Sequence, residues 1–171
     1  TLTSAGLGGA VLQMFSHGIM TALFFAVVGI IYDRTHTRDI AVLEGLAKRM
    51  GVTATFFVIA GLTSMGLPGL SGFIAELLVF IGLFQTYPAL GVLGIIGAAL
   101  TAVYILRLLA KVFFGPLAES WADQRDASPV EGFSTALLVG FLLLAGLFPF
   151  PFMRVIDSGV AELVSRFSGA G

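Results

Sequence analysis

Glu76 and His17 stand inside long uncharged stretches of the 171-residue sequence, and together they define the chemistry open to it. Glu76 occurs in Gly72-Phe73-Ile74-Ala75-Glu76-Leu77-Leu78-Val79-Phe80. On a helix its neighbours three and four residues away are Gly72, Phe73, Val79 and Phe80, so its own helix offers it no partner. Apolar surroundings disfavour a charged carboxylate, and placing one in a lipid interior costs at least ~2.5 kcal/mol. Such acids usually mark a proton or ion route, and that reading is preferred here to a protonated acid making one interhelical hydrogen bond. His17 lies in Gln13-Met14-Phe15-Ser16-His17-Gly18. Taken alone it reads as a neutral residue bonding two helices. With Glu76 on a neighbouring segment it becomes a second relay station, because imidazole titrates near physiological pH. Gln13 and Ser16, one turn and one residue away, are candidate supporting donors. Tyr104, Arg107 and Lys111 share a helical face at the end of an apolar stretch. That position suits snorkelling for Arg107 and leaves Lys111 open between an anchor and a pathway group.

Between these residues runs Gly66-Leu67-Pro68-Gly69, followed by Ser71-Gly72. Pro68 cannot donate to the carbonyl four residues back, and its ring clashes there. A helix broken in a membrane is tolerated only where the loosened backbone faces protein or a water-filled cavity. In secondary transporters such breaks mark ion sites. Gly66, Pro68 and Gly69 are therefore read as a helix break that serves Glu76. No phosphate-cradling glycine loop, Ser-His-Asp arrangement or metal-ligand cluster is legible, so no cofactor or metal is expected in this chain.

The elements that must position these groups follow from composition. Apolar residues make up 57% of the chain and charged residues 11%, where a soluble domain carries about 25%. The mean hydropathy is +1.01. A soluble globule this apolar could not cover its surface, which excludes an ordinary soluble enzyme. The excess of apolar surface excludes disorder. The net charge of −1 gives no footprint for nucleic acid, and the absence of Cys removes disulfides and thiolate chemistry. The solvent is a lipid bilayer.

A membrane-spanning helix needs about 20 mainly apolar residues. Residues 5–32 carry no Lys, Arg, Asp or Glu; residues 52–85 carry only Glu76; residues 89–114 end with Arg107 and Lys111; residues 132–148 are uncharged. As one helix, residues 52–85 would run ~51 Å, beyond a ~30 Å hydrocarbon core. They form either two short spans or one broken helix. Lys and Arg collect in cytoplasmic loops. With a single crossing, Arg34, Arg38, Lys48, Arg49, Arg107, Lys111 and Arg125 share one side and face only Arg154 and Arg166 across the membrane. With two crossings that bias vanishes. The expectation is an all-α transmembrane fold with four membrane-spanning helices, one of them broken at Gly66–Gly69. The loops 33–51 and 115–131 are then cytoplasmic. Residues 1–153 form the membrane domain, and 154–171 an amphipathic tail lying in the interface, with Val155, Ile156, Val160, Leu163, Val164 and Phe167 on one face. The first residue is Thr1, and no signal-peptide n-region precedes the first span, so the chain is expected to lie within a longer polypeptide.

Taken in order, Ser16-His17-Gly18, Tyr32-Asp33-Arg34-Thr35-His36-Thr37-Arg38, Met65-Gly66-Leu67-Pro68-Gly69 and Gly72-Phe73-Ile74-Ala75-Glu76 resemble the antiporter-like M-type subunits of respiratory complex I, the NADH:quinone oxidoreductase. Val112-Phe113-Phe114-Gly115 fits as well. The resemblance covers nearly all of this chain but only the last four of that family's fourteen core helices. It implies that residues 52–85 are the second broken helix, that Glu76 carries a proton, and that His17 is the central histidine of the preceding helix. It also implies a proton-translocating membrane subunit coupled to quinone reduction, with no redox chemistry in this chain itself. NAD, FMN, iron–sulfur clusters and quinone would lie elsewhere in the complex. The partners implied are the other membrane subunits, neighbouring antiporter-like ones above all, and the bilayer, with no nucleic acid. The implied location is a bacterial cell membrane, in preference to a thylakoid or mitochondrial inner membrane. The alternative is a subunit of an Mrp-type cation/proton antiporter or a related membrane hydrogenase. Glu76 argues for the M type, since related subunits carry Lys at that point.

Overall fold

The computed structural model describes residues 1–168, and all regular elements among them are helical. They are α1 (Ser4–Thr35), α2 (Gly51–Ser64), α3 (Ser71–Thr86), α4 (Pro88–Val112), α5 (Pro129–Leu147) and α6 (Phe150–Ser168). Single 3-10 turns at Leu46–Lys48 and Glu119–Trp121 punctuate the two long loops. By length and composition α1, α4 and α5 can each cross a membrane. The apolar helices α2 and α3, of 14 and 16 residues, are shorter, and residues 65–70 interrupt the stretch where the sequence places a break.

Helix ends follow local chemistry. The Thr3 hydroxyl caps α1 by accepting from the Gly6 amide at 3.1 Å. A capping box formed by Ser128 and Glu131, with Pro129 at the first helical position, starts α5. The helix that leads into the tail begins at Phe150, with Pro151 in its first turn, where a missing N–H breaks no intrahelical bond. Its predicted apolar face is only partly used. Val160 is buried, whereas Val155, Leu163 and Phe167 stay exposed. Residues 169–171 of the expected tail lie outside the described residues.

α3 runs antiparallel to α1 at backbone contact. A Cβ on Gly9 would meet the Val79 amide nitrogen at 2.7 Å and the Ala75 carbonyl oxygen at 2.9 Å, and one on Gly82 would meet Gly6 Cα at 2.6 Å. Small residues permit this approach between apolar helices. The same rule seats Gly91 and Gly94 of α4 under the Phe84 and Phe80 rings of α3, while Gly97 faces open space. The Gly94-to-Ala98 stretch thus meets another helix through Gly94. Much of α4 otherwise presents Leu93, Ile96, Leu100 and Val103 outward.

The larger core gathers at one end, where Leu23, Val27, Met50, Phe57, Leu109, Phe113 and Leu142 interlock. The rings of Phe24, Phe57 and Phe113 follow one another with centroids 5.0 and 4.9 Å apart. Both long loops close over this end. The Trp121 indole donates to the Val42 carbonyl at 3.0 Å, and the Ala47 amide donates to the Phe113 carbonyl at 3.2 Å.

Candidate functional site

The break is a terminated helix, a six-residue turn and a new start. The Gly66 amide donates to the Thr63 carbonyl at 3.1 Å and the Leu67 amide to the Leu62 carbonyl at 3.0 Å. These two bonds close α2 as a Schellman motif, which requires a left-handed residue at Gly66; its φ is +66°. Pro68 then prevents the helix from resuming. Gly69, with φ +97°, turns the chain toward α3. The carbonyls of Gly66, Pro68 and Gly69 accept no hydrogen bond among the described residues.

Three neighbours fix this turn. The Ser71 hydroxyl, fully buried, is 2.7 Å from that of Ser16 on α1. Gly146 of α5 lies directly against Gly69 and Leu70, where a Cβ would strike the Leu70 backbone. The third is Glu76. Side chains on a helix lean toward its N-terminus, so the half-buried Glu76 on α3 reaches back to the break. Its carboxylate packs against Gly66, where any Cβ would collide with Oε2. Among the described residues it has no hydrogen bond or ion pair. The acid and the left-handed glycine of the break therefore share one place, while the Gly69 carbonyl lies against Gly146 of α5.

The other predicted residues are distributed differently. Gln13 lies one turn before Ser16, and its Oε1 is buried with no donor among the described residues. Such an acceptor suits a water molecule or a polar group of a partner. His17 is at the level of the break, because its neighbour Ser16 touches Ser71, but its side is exposed. Consecutive helical residues point about 100° apart, so burying Ser16 turns His17 outward, and the two candidate relay groups do not touch. Lys111 forms an ion pair with Glu44 at 3.4 Å in the loop end. That contact ties α4 to the 33–51 loop, away from the break. Arg107 is exposed.

Sequence reasoning missed a second polar cluster, at the loop end of α1, α2 and α5. Arg34 forks onto Glu131, with Nη1 donating to Oε1 at 2.7 Å and Nη2 to Oε2 at 2.5 Å. Asp126 accepts from the Val52 amide at 2.7 Å, the Thr53 amide at 3.1 Å, the Thr53 hydroxyl at 2.7 Å and the Ala127 amide at 2.7 Å. Burial alone would raise the pKa of Asp126, but these hydrogen bonds outweigh it and hold the carboxyl below its ordinary value. The Ser128-Pro129-Val130-Glu131 run carried a readable capping signal. Nothing in the sequence near Asp126 pointed to α2.

Residues 1–101 match the family described as NADH:quinone oxidoreductase/Mrp antiporter, TM. The chain is 38% identical over 168 residues to the NADH-quinone oxidoreductase subunit M of Rickettsia felis, covering 98% of the chain and 34% of that protein. It thus spans about a third of the length of the curated relatives it matches. Among solved structures it resembles a chain of respiratory complex I from Thermus thermophilus with TM-score 0.85 and 30% identity, over 95% of this chain and 35% of that one. It also matches a chain of the Mrp complex from a Dietzia species with TM-score 0.85 over 95% of this chain and 38% of that one; at 18% identity this likeness is one of fold.

Proposed function

Because the chain belongs to the NADH:quinone oxidoreductase/Mrp antiporter membrane-subunit family, we propose that it is part of an M-type, proton-translocating subunit of a complex I whose quinone reduction drives the pump. The observation that carries this reading is the unpaired Glu76 carboxylate seated against Gly66 of the break. The 38% identity to an M subunit favours this reading over an Mrp-type antiporter or a membrane hydrogenase. Residues 1–153 act as the membrane domain, with α2 and α3 making one broken crossing among four. α6 lies along the interface as the tail. Two features support the single broken crossing: the loops 33–51 and 115–131 meet at one end, and they carry most of the Lys and Arg. That end faces the cytoplasm of a bacterial cell. NAD, FMN, iron–sulfur clusters and quinone belong to other subunits, and neighbouring antiporter-like subunits are the partners.

In this mechanism Glu76 takes a proton onto its carboxylate and later releases it. In an apolar site the neutral acid is the cheaper form, so the proton stays until water or a nearby charge stabilises the carboxylate. The free carbonyls of Gly66 and Pro68 offer acceptors for water at the same turn. His17, level with the break but turned outward, is the next station and is reached through water instead of direct contact. Gln13 and Ser16 line the interval. The pair with Glu44 supports an anchoring role for Lys111.

Glu76→Gln in the full-length subunit within its complex keeps size and hydrogen bonding but removes the titratable proton. Proton uptake driven by quinone reduction in membrane vesicles should fall sharply with normal amounts of assembled complex. Full pumping by the Gln variant would reduce Glu76 to a structural hydrogen-bonder.

A further inference from the structure

We infer that Asp126 is a positioning residue for Glu76, acting through the length of α2; the inference rests on the role given to Glu76 above. Asp126 sits in the loop between α4 and α5, yet three of the four hydrogen bonds to its carboxylate come from the first turn of α2. α2 needs them. Its own N-cap position holds Met50, which supplies no side-chain acceptor. A carboxylate at a helix start satisfies free amides and complements the positive end of the helix dipole. Here it comes from 73 and 74 residues away in the chain.

The loop that carries Asp126 is itself held. The Arg34 Nη2 donates to the Asp126 carbonyl at 3.4 Å, and the same guanidinium grips Glu131, whose carboxylate also accepts from the Ser128 amide at 2.6 Å. The end of α1, the start of α2 and the start of α5 therefore meet at residues 126–131. α2 is a rod of 14 residues, about 21 Å long. One end is fixed by Asp126, and the last turn at the other end holds Gly66, packed on the Glu76 carboxylate, through the bonds to Thr63 and Leu62. A hydrogen-bonded helix moves as a unit, so tilting or sliding its first turn displaces Gly66. Gly66 already leaves no room for a methyl group beside that carboxylate, so a small displacement alters how the acid is covered. Asp126 thus sets the enclosure of Glu76 without touching it.

The test labels Glu76 in the full-length subunit, assembled in its complex in membrane vesicles, with a hydrophobic carbodiimide that adds to carboxylic acids. Mass spectrometry follows the peptide containing Glu76, and Glu76→Gln identifies the adduct by abolishing it. Asp126→Ala should raise the labelling rate several-fold, while exposed Glu162 reacts at its parental rate. Asp126→Asn, which keeps an acceptor for α2, should restore much of the protection. Thr53→Val removes only the hydroxyl donor and should give a smaller rise, which keeps the test decisive if Asp126→Ala fails to assemble. Unchanged or slower labelling in Thr53→Val and, where it assembles, in Asp126→Ala overturns the inference. Pumping separates the two readings: normal pumping by Glu76→Gln removes the proposed function, whereas labelling reports the coupling of Asp126 to Glu76 either way.

Discussion

Replacing Gly66 by Ala tests whether the break and the acid are one device. Such a change carries two costs. An alanine held at φ +66° pays left-handed strain of about 1–2 kcal/mol. Its Cβ would also occupy the place of the Glu76 Oε2, and forcing a packed side chain aside costs a further ~1–3 kcal/mol. The single variant should therefore lose about 2–5 kcal/mol, the sum of those two ranges. In a Glu76→Ala background the obstructing carboxylate is gone, so only the strain of about 1–2 kcal/mol should remain. The difference is a coupling energy of ~1–3 kcal/mol, within the range for residues in direct contact. Thermal inactivation of the detergent-solubilised complex, measured for parent, both single variants and the double variant, gives the cycle. Proton uptake should fall in Gly66→Ala even where the complex assembles, because the acid is displaced from the loosened backbone. Equal losses from Gly66→Ala in both backgrounds would refute the contact and the argument built on it.

Two further outcomes are expected. Gly9→Ala should sharply reduce the amount of assembled subunit, because its Cβ meets backbone atoms of α3 at 2.7 and 2.9 Å, whereas Gly97→Ala, which faces open space, should be neutral; blotting of membranes checks both. In this Cys-free chain, Asp39→Cys and Asp123→Cys should both react with a membrane-impermeant thiol reagent only from the cytoplasmic side; labelling of the two from opposite sides would mean that α2 and α3 cross separately.

The apolar composition, the helical class, the place of the break and the lack of a partner for Glu76 on its own helix can be read from the residues alone. These are local or compositional matters. The Schellman closure at Gly66 needs a left-handed residue, Pro68 keeps the helix from resuming, and both stand within four residues of the helix end they mark. The start of α5 is written in Ser128, Pro129 and Glu131, three residues apart at most. The lack of a partner for Glu76 on α3 follows from the residues one turn away. The apolar spacing of Val155, Ile156, Val160, Leu163 and Val164 is likewise local, and the helix that carries it begins at Phe150.

Where those groups point and what they meet depends on packing between helices. The azimuth of α1 is set by backbone contact of Gly6 and Gly9 with α3, and that rotation buries Ser16 while turning His17 out. Spacing along one helix fixes the angle between two residues but not which of them faces a neighbour. Glu76 reaches Gly66 because α3 restarts at an angle that the Ser16–Ser71 bond and the Gly146 seat impose. Asp126 finds α2 only after α1 and α5 bring residues 126–131 to its first turn. Apart from Glu76 and Gly66, which are ten residues apart, these contacts join residues distant in the chain, and such pairings depend on the summed packing of several helices instead of on any signal within a few residues of either partner.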